Sequence, residues 1–106
     1  MLIINGIKFE DTPKEVEGAP YWVDLWTDVN GYKIGLQIKP TSYQSANTSF
    51  YARGAKGSEE AGHKLFKKDF GGKVFIVTPL NGTIPPKQAF LIQQEYDLLL
   101  KMLPRT

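Results

Sequence analysis

Apolar and polar residues alternate along Tyr21 to Pro40, and this segment has the clearest pattern in the chain. Two alternating runs flank Asn30 and Gly31, a dipeptide that favours a tight β-hairpin turn because both residues tolerate positive φ. In the register set by that turn, Asp24 lies directly opposite Gln37. The pattern therefore predicts an antiparallel hairpin across the middle of the chain.

Side chains point alternately to opposite faces of a strand, so the predicted hairpin has an apolar and a polar face. The apolar face, expected in the core, carries Val23, Leu25, Thr27, Ile34, Leu36 and Ile38. The polar face carries Trp22, Asp24, Trp26, Gly35, Gln37 and Lys39, with Trp22 opposite Lys39. Two large aromatic rings are unusual on a fully solvated face, so we expect either a covering element or a ligand against them.

The N-terminal segment repeats the hairpin signal on a smaller scale. Two short apolar runs, 2–4 and 7–9, flank Asn5 and Gly6, so a second hairpin is expected there. A polar connector from Glu10 to Pro20 separates the two hairpins. Pro40 is expected to end the central hairpin, because proline cannot extend a strand ladder.

The second half of the chain predicts a long loop, a helix, a strand and a helix. The loop is expected over 41–57, and the helix from a capping Ser58 to about Phe70, where two glycines end it. Its inward stripe is Ala61, Gly62, Leu65, Phe66 and Phe70. A buried strand is expected over 73–78 and a helix over 88–103. The inward side of that last helix carries Ala89, Ile92, Tyr96, Leu99 and Leu103.

This order of elements indicates one α+β (α/β-like) domain over residues 1–106, with a mixed β-sheet, a central antiparallel hairpin, a crossover helix and a C-terminal helix. The strand over 73–78 is expected to lie parallel to the strand over 32–39, through a right-handed crossover. The chain is long enough for one hydrophobic core.

Composition limits the function classes only weakly. The formal net charge is +2, which excludes neither a nucleic acid nor a small-molecule ligand. The chain has no cysteine, so disulfides and thiolate metal sites are excluded. No apolar run approaches the ~18 residues of a membrane span, and the N-terminus lacks the pattern of a signal peptide. We therefore expect a soluble, cytoplasmic protein without a membrane partner.

The polar face of the hairpin is the strongest candidate for chemistry. A carboxylate on Asp24, an amide oxygen on Gln37 and an ammonium on Lys39 would be held together by a rigid hairpin. Hard oxygen ligands suit a divalent cation, and the ammonium suits a phosphate. The alternative interpretation is a solvated face, because half-buried antiparallel hairpins commonly alternate apolar and polar positions.

These residues resemble the signature of the PD-(D/E)xK nuclease superfamily. The match is Asp24 followed by the apolar strand 34–39, IGLQIK, with Gln37, one intervening residue and Lys39. The run LQIKPTSY is similar to the third motif of some type II restriction endonucleases of the MjaI kind. The resemblance covers Tyr21 to about Thr78 and implies a restriction-endonuclease-like core.

The resemblance implies a metal-dependent DNA endonuclease. Asp24 would bind Mg²⁺ or Mn²⁺, with the side-chain oxygen of Gln37 and the backbone carbonyl of Ile38 as further ligands. Lys39 would assist the attacking water and steady the charge on phosphorus. A dimer is expected for cutting both strands of a duplex.

The chain also departs from the family pattern. Gln37 replaces the usual acid, Val23 replaces the proline before Asp24, and the first core helix has no clear counterpart. Glu15 or Glu17, on the connector, is expected to supply the missing acid. A sequence-specific restriction enzyme is normally longer, so a minimal core or a fragment is expected.

A basic region follows the hairpin. Its residues are Arg53, Lys56, Lys64, Lys67 and Lys68, which are expected to contact DNA phosphates. The lone His63 is expected at the surface. Two other function classes stay open: a catalytically inactive nuclease-like module that binds nucleic acid or protein, and a small interaction or inhibitor domain with a purely structural hairpin.

Overall fold

The computed structural model describes residues 1–40 and 49–105, with side chains described for 1–40 and 59–105. It is an α+β fold with a five-stranded mixed sheet in the order β1-β2-β3-β4-β5. The strands are β1 (Leu2–Ile4), β2 (Ile7–Asp11), β3 (Leu25–Val29), β4 (Tyr32–Ile38) and β5 (Gly71–Val77). The helices are α1 (Lys14–Glu17), α2 (Ser49–Phe70) and α3 (Pro86–Lys101).

Both hairpin turns form where the sequence predicts them. Asn30 and Gly31 have φ values of 60° and 90°, and Val29 pairs with Tyr32 in the predicted register. The opening turn has the same character, with β1 and β2 antiparallel on either side of it. The asparagine–glycine signals are therefore confirmed, because these two residue types reach the left-handed backbone region at low cost.

The first arm of the central hairpin is shorter than predicted, since β3 begins at Leu25 and not at Tyr21. Trp22 has a φ of 61°, in the left-handed region, so the extended backbone and its alternation of faces are interrupted there. The predicted pairing of Trp22 with Lys39 is therefore wrong, and the backbone N–H of Lys39 donates to the carbonyl of Val77 instead, at 2.9 Å.

The interruption also changes the face on which Val23 lies. A Cβ added to Gly35 would lie 2.9 Å from Cγ1 of Val23, so Val23 packs on the face predicted to be polar. Ile38, predicted in the core, is 42% exposed at the end of β4. The predicted apolar face is correct for the central members of the hairpin, Leu25, Ile34 and Leu36, which are all buried.

Helix α2 connects the two parallel strands of the sheet. β4 and β5 pair in parallel, with Ile38 beside Val77, which confirms the predicted parallel pairing. The helix ends at Phe70, before Gly71 at a φ of 92°, also as predicted. It begins at Ser49, so Ser58 lies inside it and does not cap it, and the predicted loop over 41–57 is wrong from 49 onward. The rest of that loop, 41–48, lies outside the described residues.

The sheet carries a separate hydrophobic cluster on each face. One contains β-strand residues together with Ile92 and Leu99 of α3. The other contains Val16, Val23 and Phe66, and brings α2 against the opposite face. Leu103, predicted on the inward side of the last helix, is 85% exposed, because α3 ends at Lys101. The two faces therefore differ in what covers them, and the candidate site lies under α2.

Candidate active site

Gln37 lies on the sheet face that α2 covers, and only 6% of the residue is exposed. Gly35, two positions earlier on the same face, makes this close approach feasible. A Cβ there would lie 3.2 Å from the ring of Phe66 and 3.1 Å from Cγ2 of Val74. The interpretation of this face as solvated is therefore wrong.

Glu59 of α2 completes a polar cluster with two residues of the hairpin motif. The amide nitrogen of Gln37 donates a hydrogen bond to Oε2 of Glu59. Nζ of Lys39 lies 2.7 Å from the same oxygen, and the two charged side chains are 14% and 11% exposed. The structure thus brings the predicted amide and ammonium together, around an acid from a different element.

Two oxygen atoms of this cluster have acceptor capacity to spare. Oε1 of Gln37 and Oε1 of Glu59 are both buried and find no hydrogen-bond partner in the described part of the chain. Buried acceptors are normally satisfied, and an exception indicates a bound water, a bound ion, local strain or a catalytic role. Carboxylate and amide oxygens are the hard ligands that Mg²⁺ prefers, so this pair fits such an ion.

Asp24 adjoins the cluster through the backbone of β4. Its Oδ2 accepts a hydrogen bond of 2.8 Å from the backbone N–H of Ile38. Its own N–H donates to the carbonyl of Leu36 at 2.8 Å. The carboxylate is therefore fixed beside the residue that follows Gln37. Within the described ranges, no three His, Cys, Asp or Glu side chains are grouped to hold a metal ion, so any such site would combine carboxylates with the amide.

His63 lies one helical turn after Glu59 and is half-buried, which overturns the predicted surface position. Burial lowers its pKa from the ordinary 6.5, and the neighbouring backbone of Trp22 acts against this lowering. Glu59 also raises that pKa, whereas Lys39 adds to the lowering. Nε2 of His63 is buried without a partner in the described part of the chain.

The docking of α2 depends on a glycine beside His63. A Cβ added to Gly62 would lie 1.9 Å from the backbone carbonyl oxygen of Pro20, a distance that no side chain tolerates. The helix therefore lies directly on the connector before β3, and this contact brings Glu59 and His63 over the sheet.

The predicted substitute acids do not reach the cluster. Glu15 and Glu17 are exposed on α1, on either side of Val16, which is the buried residue of that helix. The acid that lies beside Gln37 and Lys39 is Glu59 instead. Its signal was present in the sequence: Glu59, His63, Phe66 and Phe70 recur at four-, three- and four-residue spacing, which is typical of one helix face.

The predicted basic region lies partly away from the site. Lys64, Lys67 and Lys68 are exposed on α2. At 3.6 residues per turn, Lys64 and Lys68 lie on the side of the helix opposite Glu59. Arg53 and Lys56 lie among the residues whose side chains are not described.

Comparisons with family models, with curated proteins and with solved structures each gave no match to this chain. None of the helices in the described ranges combines the length and the hydropathy that crossing a membrane requires.

Proposed function

We propose that the chain is a metal-dependent DNA endonuclease with its site at Asp24, Gln37, Lys39 and Glu59. The observation that supports this proposal best is the pair of unpartnered oxygens on Gln37 and Glu59 beside a nearly buried ammonium. Phosphodiester hydrolysis needs oxygen ligands for a divalent cation and positive charge near phosphorus. Both requirements meet in this cluster.

Mg²⁺ or Mn²⁺ would be held by Oε1 of Gln37, Oε1 of Glu59 and the carboxylate of Asp24. The backbone carbonyl of Ile38 is a fourth proposed ligand. A bound ion of this kind polarises phosphoryl oxygens and lowers the pKa of coordinated water. Because Gln37 carries no charge, Glu59 supplies the second negative charge of the ligand set.

Lys39 has the clearest role among the protein groups. Its ammonium is held at Oε2 of Glu59, so it presents a fixed positive charge to a phosphate entering beside it. Fixed charge that needs no reorganisation stabilises the negative charge that builds up on phosphoryl oxygens in the transition state. Gln37 orients Glu59 through its amide nitrogen while leaving the other carboxylate oxygen available.

The test is cleavage of supercoiled plasmid with Mg²⁺ or Mn²⁺ by the protein and by Asp24→Ala, Lys39→Ala and Glu59→Gln. Each variant should lose cleavage by at least about 10²-fold, the usual loss when a group that stabilises transition-state charge is removed. The matched controls are Asp11→Ala and Lys87→Ala, which remove an exposed acid and an exposed lysine. Cleavage that survives in the site variants, or falls equally in the controls, would refute the proposal.

A catalytically inactive nuclease-like module, binding nucleic acid or protein, is the second candidate. It is favoured by one observation: Oε2 of Glu59 already accepts from both Gln37 and Lys39, as in a purely structural ion pair. Salt-sensitive DNA binding without cleavage in either metal would support this candidate. For the endonuclease, cutting both strands would need two sites related by two-fold symmetry, and sedimentation on a duplex would show the dimer.

A further inference from the structure

A cleft of about 330 Å³ lies between α2 and the connector that precedes β3. Its lining is almost entirely apolar: Ala19, Pro20, Trp22, Ala61, Gly62 and Leu65. The volume is at the lower end of the range for small-molecule sites, roughly 300–1,000 Å³. The cleft is therefore large enough for one flat ring system and too small for a base pair within a duplex.

Trp22 is held in this lining by a strained backbone. A bulky residue at positive φ is a conformational outlier, and such outliers persist only where their surroundings over-determine them. The N–H of Trp22 donates to the carbonyl of Gly18 at 2.9 Å, which holds the Trp22 backbone in this conformation. The side chain of Trp22 lines the cleft.

The cleft and the candidate active site are both bordered by the same stretch of α2. Gly62, in its lining, immediately precedes His63, which lies one turn from Glu59. Two lysine side chains border the other side of the cleft. Lys64 and Lys68 are exposed, and they are three residues from Ala61 and Leu65 respectively, so these side chains share one helix surface.

We propose that this cleft receives one unpaired base of a nucleic acid, stacked on Trp22, with Lys64 and Lys68 against the neighbouring phosphates. The inference rests on the proposed function and names its substrate class: single-stranded nucleic acid, or a duplex with a locally unpaired base. Aromatic side chains beside basic ones are the usual means of binding unpaired strands, because every base has a face that can stack.

The experiment titrates the metal-free protein with a single-stranded oligothymidylate and with a fully paired duplex of equal length, each carrying a fluorescent label. Anisotropy of the label measures the affinity of every variant, and tryptophan fluorescence of the parent protein reports contact with Trp22. Trp22→Asn removes the ring, and asparagine tolerates the left-handed backbone, so this variant should fold. Trp26→Phe is the matched control, because Trp26 packs against Phe70 at a ring distance of 5.5 Å, away from the cleft lining. Circular dichroism checks the fold of both.

The single strand should quench the fluorescence and bind more tightly than the duplex. Trp22→Asn should weaken that binding roughly 5- to 150-fold, the range for losing one base–aromatic stack, whereas Trp26→Phe should leave it unchanged. Equal affinity for both forms, binding indifferent to Trp22, or no binding to either would overturn the inference.

Cleavage separates this inference from the proposed function. Plasmid cleavage that depends on Lys39 but not on Trp22 would support the endonuclease activity and refute base binding in the cleft. Quenching that depends on Trp22, without cleavage in either metal, would support base binding and refute the endonuclease activity.

Discussion

Nζ of Lys39 lies 2.7 Å from Oε2 of Glu59, and this ion pair joins the end of the central hairpin to helix α2 with little solvent access. The two residues belong to different elements, so the pair fixes how the helix lies on the sheet. Removing one member of such a pair leaves the other charge buried, which costs more than the pair itself contributes.

We expect Lys39→Met to lower the free energy of unfolding by about 3–5 kcal/mol, because the carboxylate of Glu59 would stay buried without its cation. The double variant Lys39→Met with Glu59→Leu should recover most of that loss. Urea unfolding of the two single variants and the double variant measures the coupling. Strictly additive losses would contradict a coupled pair.

We expect Gly62→Ala to destabilise the fold although alanine favours a helix by about 1 kcal/mol over glycine. The new methyl group would lie 1.9 Å from the carbonyl oxygen of Pro20, so α2 must shift from the connector. Overpacking of this kind costs about 1–3 kcal/mol. Gly18→Ala is the control, because its nearest neighbour would be 3.8 Å away. Thermal unfolding of both variants should show a large loss only for Gly62→Ala.

We expect Gln37→Glu to lower the stability of the metal-free protein and to raise its affinity for a metal ion. Without metal, two carboxylates would face each other in a buried cluster and a hydrogen bond to Glu59 would be lost, at about 1–3 kcal/mol. With Mg²⁺ or Mn²⁺ the added charge should increase the metal-dependent rise in melting temperature above that of the parent. Gln94→Glu, at an exposed position of α3, should show neither effect. An equal metal response in both variants would argue against a metal at Gln37.

The lowered pKa of His63 should make the stability of the protein depend on pH. Burial lowers this pKa in the folded state, so below about pH 6.5 the unfolded chain binds a proton that the folded chain does not. Stability is therefore complete above that pH and falls as pH decreases toward the folded pKa. The carboxylates of Glu59 and Glu60 reduce the effect, and Lys39 enhances it. His63→Gln should flatten the free energy of unfolding between about pH 5 and 7, and a variant that kept the slope would exclude His63 as its source.

The local signals in the sequence were sufficient to predict most of the β-sheet. Asn30 and Gly31 fix both the turn and the register, because the alternation of side chains allows no slip of one residue. The crossover followed from the order of elements, and β4 and β5 are indeed parallel. Nothing local marked Trp22 as left-handed, because that backbone is imposed by contacts with Gly18 and His63.

The candidate site was half predictable. Gln37 and Lys39 followed from strand alternation, whereas the predicted cap at Ser58 put Glu59 in the first turn of its helix. The helix starts earlier than its glycines suggest, since intrinsic propensity is a weak guide that the rest of the fold overrides. Glu59 lies in the middle of α2, on the same side of the helix as Phe66, and this side faces the sheet.

The two faces of the sheet are covered unequally, and this affects which part of the protein should open first. In the described residues, the cluster under α2 has three buried members, Val16, Val23 and Phe66, whereas the cluster on the α3 side is larger. The partly buried residues packed against the α2 cluster are Tyr21, Trp26, Phe70 and Val74. The free energy of a partial opening depends on the contacts it breaks, so α2 should detach while β3 and β4 stay paired. Amide hydrogens of α2 should then exchange with solvent faster than those of the central strands. A site carried on such a helix can open to solvent while the strands beneath it stay paired.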